Sequence, residues 1–185
     1  MKTAILVLAA LLSLQTFAED RSAADNSAGK VSLATSVLKR HQMAIDSEDC
    51  QADEMLGMQT SVSDLGQGRK LYIVGCMMGA YQGSSRAYVT SGEQESNVLD
   101  VNVLSATVDK EIVATNELGD ASYDSKTGLL YTSAKGRGMA DCGDSSISKI
   151  SINKYGQLIV KTMQINSKAN CDGKMRAWPV VFTQK

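Results

Sequence analysis

Three aspartates in the C-terminal half of the chain, Asp141, Asp144 and Asp172, stand among glycines, and Lys135 and Arg137 lie a few residues ahead of the first. Two carboxylates at a set separation can act as general acid and base on the sugars or peptides of a cell envelope, and they need no histidine. The chain holds one histidine, His41. Two-histidine mechanisms and histidine-rich metal sites are therefore excluded, and a Ser-His-Asp triad would have to run through that residue. The aspartates also sit in turn-forming company, where Asp is common for backbone hydrogen bonding alone. Asp141 and Asp144 lack the repeated oxygen spacing of a calcium loop. No catalytic residue, metal or cofactor is assigned, and a carboxylate-dependent hydrolase is kept as the alternative function.

The segment Lys135-Gly136-Arg137-Gly138-Met139-Ala140-Asp141-Cys142-Gly143 is the most unusual in the sequence. Its glycines let the backbone take positive φ and approach another surface closely, and Gly138 is expected to need that freedom. Flanked by Lys135 and Arg137, the segment could form an anion-binding concavity of backbone N–H groups. It lacks the Gly-Lys-Ser/Thr ending of a nucleotide phosphate loop. The simpler reading is a tight corner in which Arg137 and Asp141 satisfy each other beside Cys142. Tyr, Trp and Arg carry most protein interfaces, so Tyr81, Lys135, Arg137, Asp141 and Trp178 form the candidate binding set of a non-enzymatic binding or inhibitor module.

The elements that must position these residues are mostly strands. Leu71 to Cys76 is a continuous β-prone run and reads as a buried central strand, with Arg86 to Thr90 as its neighbour. Gly92 to Asn97 reads as a surface loop and Val98 to Val108 as one strand. Ala121-Ser122-Tyr123 and Leu129 to Thr132 flank Asp124 to Gly128, the layout of a hairpin. Ile147 to Ile152 and Gln157 to Met163 flank the turn Asn153 to Gly156 as a second hairpin. Trp178 to Phe182 closes the chain as a strand, with Pro179 placing it at an edge or standing at the strand's own start. Ahead of these, Val31, Ala34, Leu38, His41 and Ile45 recur at helical spacing, with Val37 beside them. They predict one amphipathic helix of about three turns, with His41 partly exposed near its C-terminal end. The fold class is mainly β: an antiparallel sandwich or barrel-like sheet with one N-terminal helix.

The chain has 185 residues, 43% of them hydrophobic and 21% charged, which fits a single folded domain over residues 31–185. A net charge of -1 with no run of like charges argues against nucleic acid as a partner. The start, Lys2 followed by an apolar run from Ala4 to Leu14 and then Thr16-Phe17-Ala18, describes a secretory signal peptide over residues 1–18. Residues 19–30 read as a flexible mature N-terminus. No other stretch is apolar enough to span a membrane. Cys50, Cys76, Cys142 and Cys171 are an even set in an exported chain, so disulfides are expected. Three pairings are possible; Cys50–Cys76 and Cys142–Cys171 are preferred because each closes a local loop, stabilising by about 3 kcal/mol.

Cys76-Met77-Met78-Gly79-Ala80-Tyr81, the stretch Tyr123 to Leu130, Lys135-Gly136-Arg137-Gly138 with Asp141-Cys142-Gly143, and Cys171-Asp172-Gly173 with Trp178-Pro179 together resemble the bacterial family called domain of unknown function 1176. The resemblance covers residues 31–183. Gln82 stands where that family commonly has Asn, and Ala140 where it commonly has Gly. The family's members are exported by Gram-negative bacteria, so the resemblance implies the periplasm. The expected location is the periplasm or the secreted fraction, and the expected partner a periplasmic protein or an envelope ligand. It implies no activity.

Overall fold

The computed structural model describes residues 33–51, 60–92, 95–107 and 109–184. The expected signal peptide and mature N-terminus lie outside them. Helix α1 (Thr35–Asp46) is followed by β1 (Ser61–Gly66), β2 (Arg69–Met78), β3 (Gly83–Ser91), β4 (Asn97–Asp100), β5 (Val103–Ala106) and β6 (Ile112–Thr115). The C-terminal half carries β7 (Ser122–Asp124), β8 (Leu129–Lys135), β9 (Gly143–Ile152), β10 (Leu158–Lys168) and β11 (Val180–Thr183). All pairings between these strands are antiparallel, in a four-stranded sheet β1-β2-β3-β4, a five-stranded sheet β11-β10-β9-β8-β7, and the separate hairpin β5-β6. The sheets do not close on one another, so of the two expected architectures the sandwich holds and the barrel does not.

Strand β2 is apolar on both faces because both are covered. Leu71 and Ile73 join Ala87 and Val89 of β3 against Leu130 and Ile150 of the five-stranded sheet, forming the central core. The alternate residues Tyr72 and Val74, with Tyr88, pack on Val37 of α1. With a side-chain period of two, a strand between two layers must be hydrophobic at every position, which is why Leu71 to Cys76 reads as an unbroken run. The β1–β2 hairpin turns on Gln67 and Gly68, whose φ values of 55° and 67° are those of a type I′ turn that matches the twist of the strands.

The buried stripe of α1 is Val37, His41 and Ala44, and Leu38 is exposed, which corrects the expected stripe through Leu38 by one residue. Both stripes have helical period, and only the partner sheet selects between them. His41 is not the partly exposed residue expected at a helix end. It is 1% exposed, its Nδ1 lies 3.0 Å from the Tyr88 hydroxyl, and the two rings meet edge to face at 5.9 Å. Burial, followed by the charge of Arg86, lowers its pKa, while the Gly75 carbonyl acts weakly the other way. Burial likewise pushes the Tyr88 hydroxyl up to about 12.

A histidine whose folded pKa lies below its unfolded value of about 6.5 binds protons more readily in the unfolded chain. Stability therefore falls as pH drops below about 6.5 and stops falling once the folded pKa is passed. His41→Gln removes that contribution. Thermal melts between neutral and mildly acidic pH are expected to show a downward slope for the wild type that is shallower in His41→Gln; equal slopes would refute a neutral, buried His41.

The single strand expected over Val98 to Val108 is two. Chain direction changes at Val101, which is fully buried and donates its N–H to the Ala87 carbonyl at 2.9 Å. β4 stays with β3, whereas β5 leaves to pair with β6 and lie over β10 and β9; Val108 itself lies outside the described residues. The two expected C-terminal hairpins are present as β7–β8 and β9–β10. β11 is an edge strand beginning just after Pro179, whose carbonyl accepts the Ser167 N–H at 2.9 Å. The disulfides are Cys50–Cys76 and Cys142–Cys171, with Cα separations of 4.6 and 4.8 Å.

Candidate functional site

The connection from β8 to β9 makes the glycine corner. Gly136 donates its N–H to the Cys142 carbonyl at 3.0 Å, and a Cβ on it would lie 2.8 Å from the Cys142 sulfur, so only glycine lets the chain turn against the disulfide. Arg137 reaches back to Asp141 through two parallel bonds, Nε to Oδ1 at 2.7 Å and Nη2 to Oδ2 at 2.6 Å. Its Nη2 also donates to the Cys171 carbonyl at 3.1 Å. Such a fork is the strong form of an ion pair, and Asp141, fully buried, takes a further bond from the Gly173 N–H at 2.6 Å. Arg137 first, and then the Gly173 N–H, hold the Asp141 carboxyl far below the ordinary carboxylate range. The corner, the disulfide and the 171–173 loop are thus one bonded unit.

Gly138 does not need positive φ, correcting that expectation. Its missing Cβ makes room for Tyr81, whose ring carbons would approach a Cβ to 2.6 Å. The left-handed residue is Ala140, at φ 54°, where a side chain costs about 1–2 kcal/mol relative to glycine. Tyr81 lies over the corner with 64% of its surface exposed. Lys135 pairs with Asp120 at 3.3 Å, and its N–H donates to Gln82 Oε1 at 2.8 Å. Trp178 is half-buried with its ring edge over Gly143. Of the five candidate binding residues, Tyr81, Arg137 and Asp141 are brought together; Lys135 and Trp178 flank the corner at its two strand ends.

The three aspartates are separated in role. Asp172 accepts from Lys168 at 2.6 Å and Arg176 at 2.8 Å, so it and Asp141 are each neutralised by cations. Asp144 lies elsewhere, in a cleft under the β5–β6 hairpin, and burial raises its pKa. Its neighbours there, Ser84 of β3, Ser105 of β5 and Glu117 in the connection after β6, come from separate segments and no local pattern marks them. Among the described residues the one grouping with metal-ligand proximity is Asp141, Cys142 and Cys171. Both its sulfurs are in the disulfide and offer no thiolate to a cation.

Among the described residues, no helix is long and apolar enough to cross a membrane. No curated protein and no solved structure matches the chain. The cysteine-anchored corner and the two flanking strands lie within residues 10–185, over which the model of the family "protein of unknown function (DUF1176)" matches, and the chain belongs to that family.

Proposed function

We propose that the chain is an exported, non-catalytic binding module acting in the periplasm, with its recognition surface at the glycine corner. The observation that carries this reading is Tyr81, a large aromatic side chain 64% exposed on a frame whose own charges are already satisfied. A rigid frame lowers the ordering cost of association, and an exposed tyrosine supplies area at small entropic cost. Met139, also exposed at the corner, extends the apolar surface, while Arg137 and Asp141 serve as its scaffold. The partner is a periplasmic protein or an envelope ligand. An acid/base pair drawn from Asp141, Asp144 and Asp172 has no support in this geometry, because two of the three are held by cations.

Pull-down from periplasmic extract tests the reading when run with variants beside the wild type. Tyr81→Ala is expected to keep the melting temperature and lose at least about tenfold in capture, the size of an interface hot spot. Arg137→Ala is expected to lower the melting temperature, because Asp141 would be left buried without its cation. Equal capture by Tyr81→Ala and wild type would overturn the proposal.

A further inference from the structure

The β5–β6 hairpin stands over β8, β9 and β10, and between them opens a cavity of about 280 Å³ that adjoins a second of about 410 Å³. Both are lined by Asp144, Ala106 and Ala134. The sheet beneath is unusually rich in hydroxyls for an inner face, but these satisfy one another: Thr132 with Ser146 at 2.8 Å and Ser148 with Thr162 at 3.0 Å. Gln82, on the wall, is likewise spent on the backbone of β8.

Asp144 is the exception. Its carboxylate takes one hydrogen bond, from the Ser105 hydroxyl to Oδ2 at 2.6 Å, and among the described residues it has no ion pair. The lysines that line the second cavity are already committed, Lys135 to Asp120 and Lys168 to Asp172 and the Lys174 carbonyl. Glu117 adds a second carboxylate to the lining of the first cavity, and among the described residues no basic side chain lines it. Ser84 brings a hydroxyl oxygen that is buried and makes no hydrogen bond. A half-buried carboxylate without a counter-charge is costly unless something supplies one. Val103 and Val113 make the remaining wall apolar.

We propose that this cleft binds a small primary amine in its ammonium form, the nitrogen against Asp144 and a short aliphatic body along Val103 and Val113. The carboxylate supplies the charge, and a cavity of about 280 Å³ has room for a short aliphatic body, since a cavity of about 150 Å³ already holds a benzene ring. An anion is repelled by Asp144 and Glu117, and a neutral alcohol leaves the carboxylate uncompensated. Burial, which raises the Asp144 pKa, would be offset by a bound cation. The site uses none of the exposed side chains of the corner, so it stands or falls independently of the recognition surface proposed there.

The test is amide NMR titration of the mature protein at neutral pH with butylammonium chloride, using butanol and sodium butyrate as matched controls. Saturable shifts centred on Ser84, Ser105 and Asp144 are expected with butylammonium, at least about tenfold weaker with either control. Asp144→Asn keeps the shape and the Ser105 contact, and is expected to melt no lower than wild type while losing at least about tenfold in affinity. Asp109→Asn, an exposed carboxylate outside the cleft, is expected to bind as wild type does. Shifts of equal size in Asp144→Asn, equal binding of butanol, or shifts that never saturate would each overturn the proposal.

Discussion

Gly143→Ala is expected to remove a large part of the fold's stability. Gly143 opens β9 at φ 142° and pairs with Lys135 of β8. A Cβ there would fall 2.1 Å from the Ala134 carbonyl oxygen and 2.8 Å from the edge of the Trp178 ring. The first obstacle is backbone at the end of the β8–β9 ladder next to the corner, which cannot step aside without loosening the pairing that carries the corner. The cost is about 3 kcal/mol or more, at the upper end of the usual overpacking range, against a net stability of about 5–15 kcal/mol. Gly173→Ala is the matched control: its φ is 75°, yet nothing lies within 4 Å of the added atom, so only the left-handed backbone term of about 1–2 kcal/mol remains. Urea denaturation of both variants separates the two causes. A Gly143→Ala midpoint no lower than that of Gly173→Ala would show that β8 can yield.

Replacing Cys142 and Cys171 together by alanine should produce a loss of similar size. The bridge closes a loop with a sequence separation of 29, worth about 3–4 kcal/mol in loop entropy. The Cys50–Cys76 bridge, with a separation of 26, is worth nearly the same, since the entropy grows only with the logarithm of length. The two differ in what each holds. Cys50 and Cys76 are buried against Ala44 of the helix, whereas Cys142 and Cys171 hold the corner against the loop whose Gly173 N–H binds Asp141. Hydrogen exchange is expected to show the Gly136 and Gly173 amides losing protection in the Cys142/Cys171 variant beyond the global loss of stability. Retained protection at both amides, or a stability change below about 1 kcal/mol, would mean that Arg137 and Asp141 hold the corner alone. Acid acts on the same unit. Because the folded Asp141 carboxyl is held down by Arg137, its contribution is intact at neutral pH and is lost as pH falls below the unfolded value of about 4 toward the folded one.

What the amino-acid order determined is local. Loop length gave a preference among three possible disulfide pairings, turn residues between alternating runs gave the C-terminal hairpins, and Pro179 marked the last strand as an edge strand or its own first residue. The Arg137–Asp141 pair was legible too, being four residues apart beside a cysteine. In each case the interacting groups are close in sequence, and few alternatives compete. The polar edge strand β1 and the short β6 escaped notice because exposed or half-exposed strands have no need of an apolar run. Three features were decided only in the tertiary structure. Val37 and Ala44 are buried beside His41 in place of Leu38 because of where the sheet lies. Val98 to Val108 breaks in two because Val101 enters the core while its neighbours serve different sheets. Among the described residues Asp144 lacks a counter-charge, because the lysines around its cleft are drawn to Asp120 and Asp172. Periodicity states that an element has an apolar face and composition states how many charges there are; which face meets the core, and which charge is left without a partner, depend on contacts between residues distant in the chain.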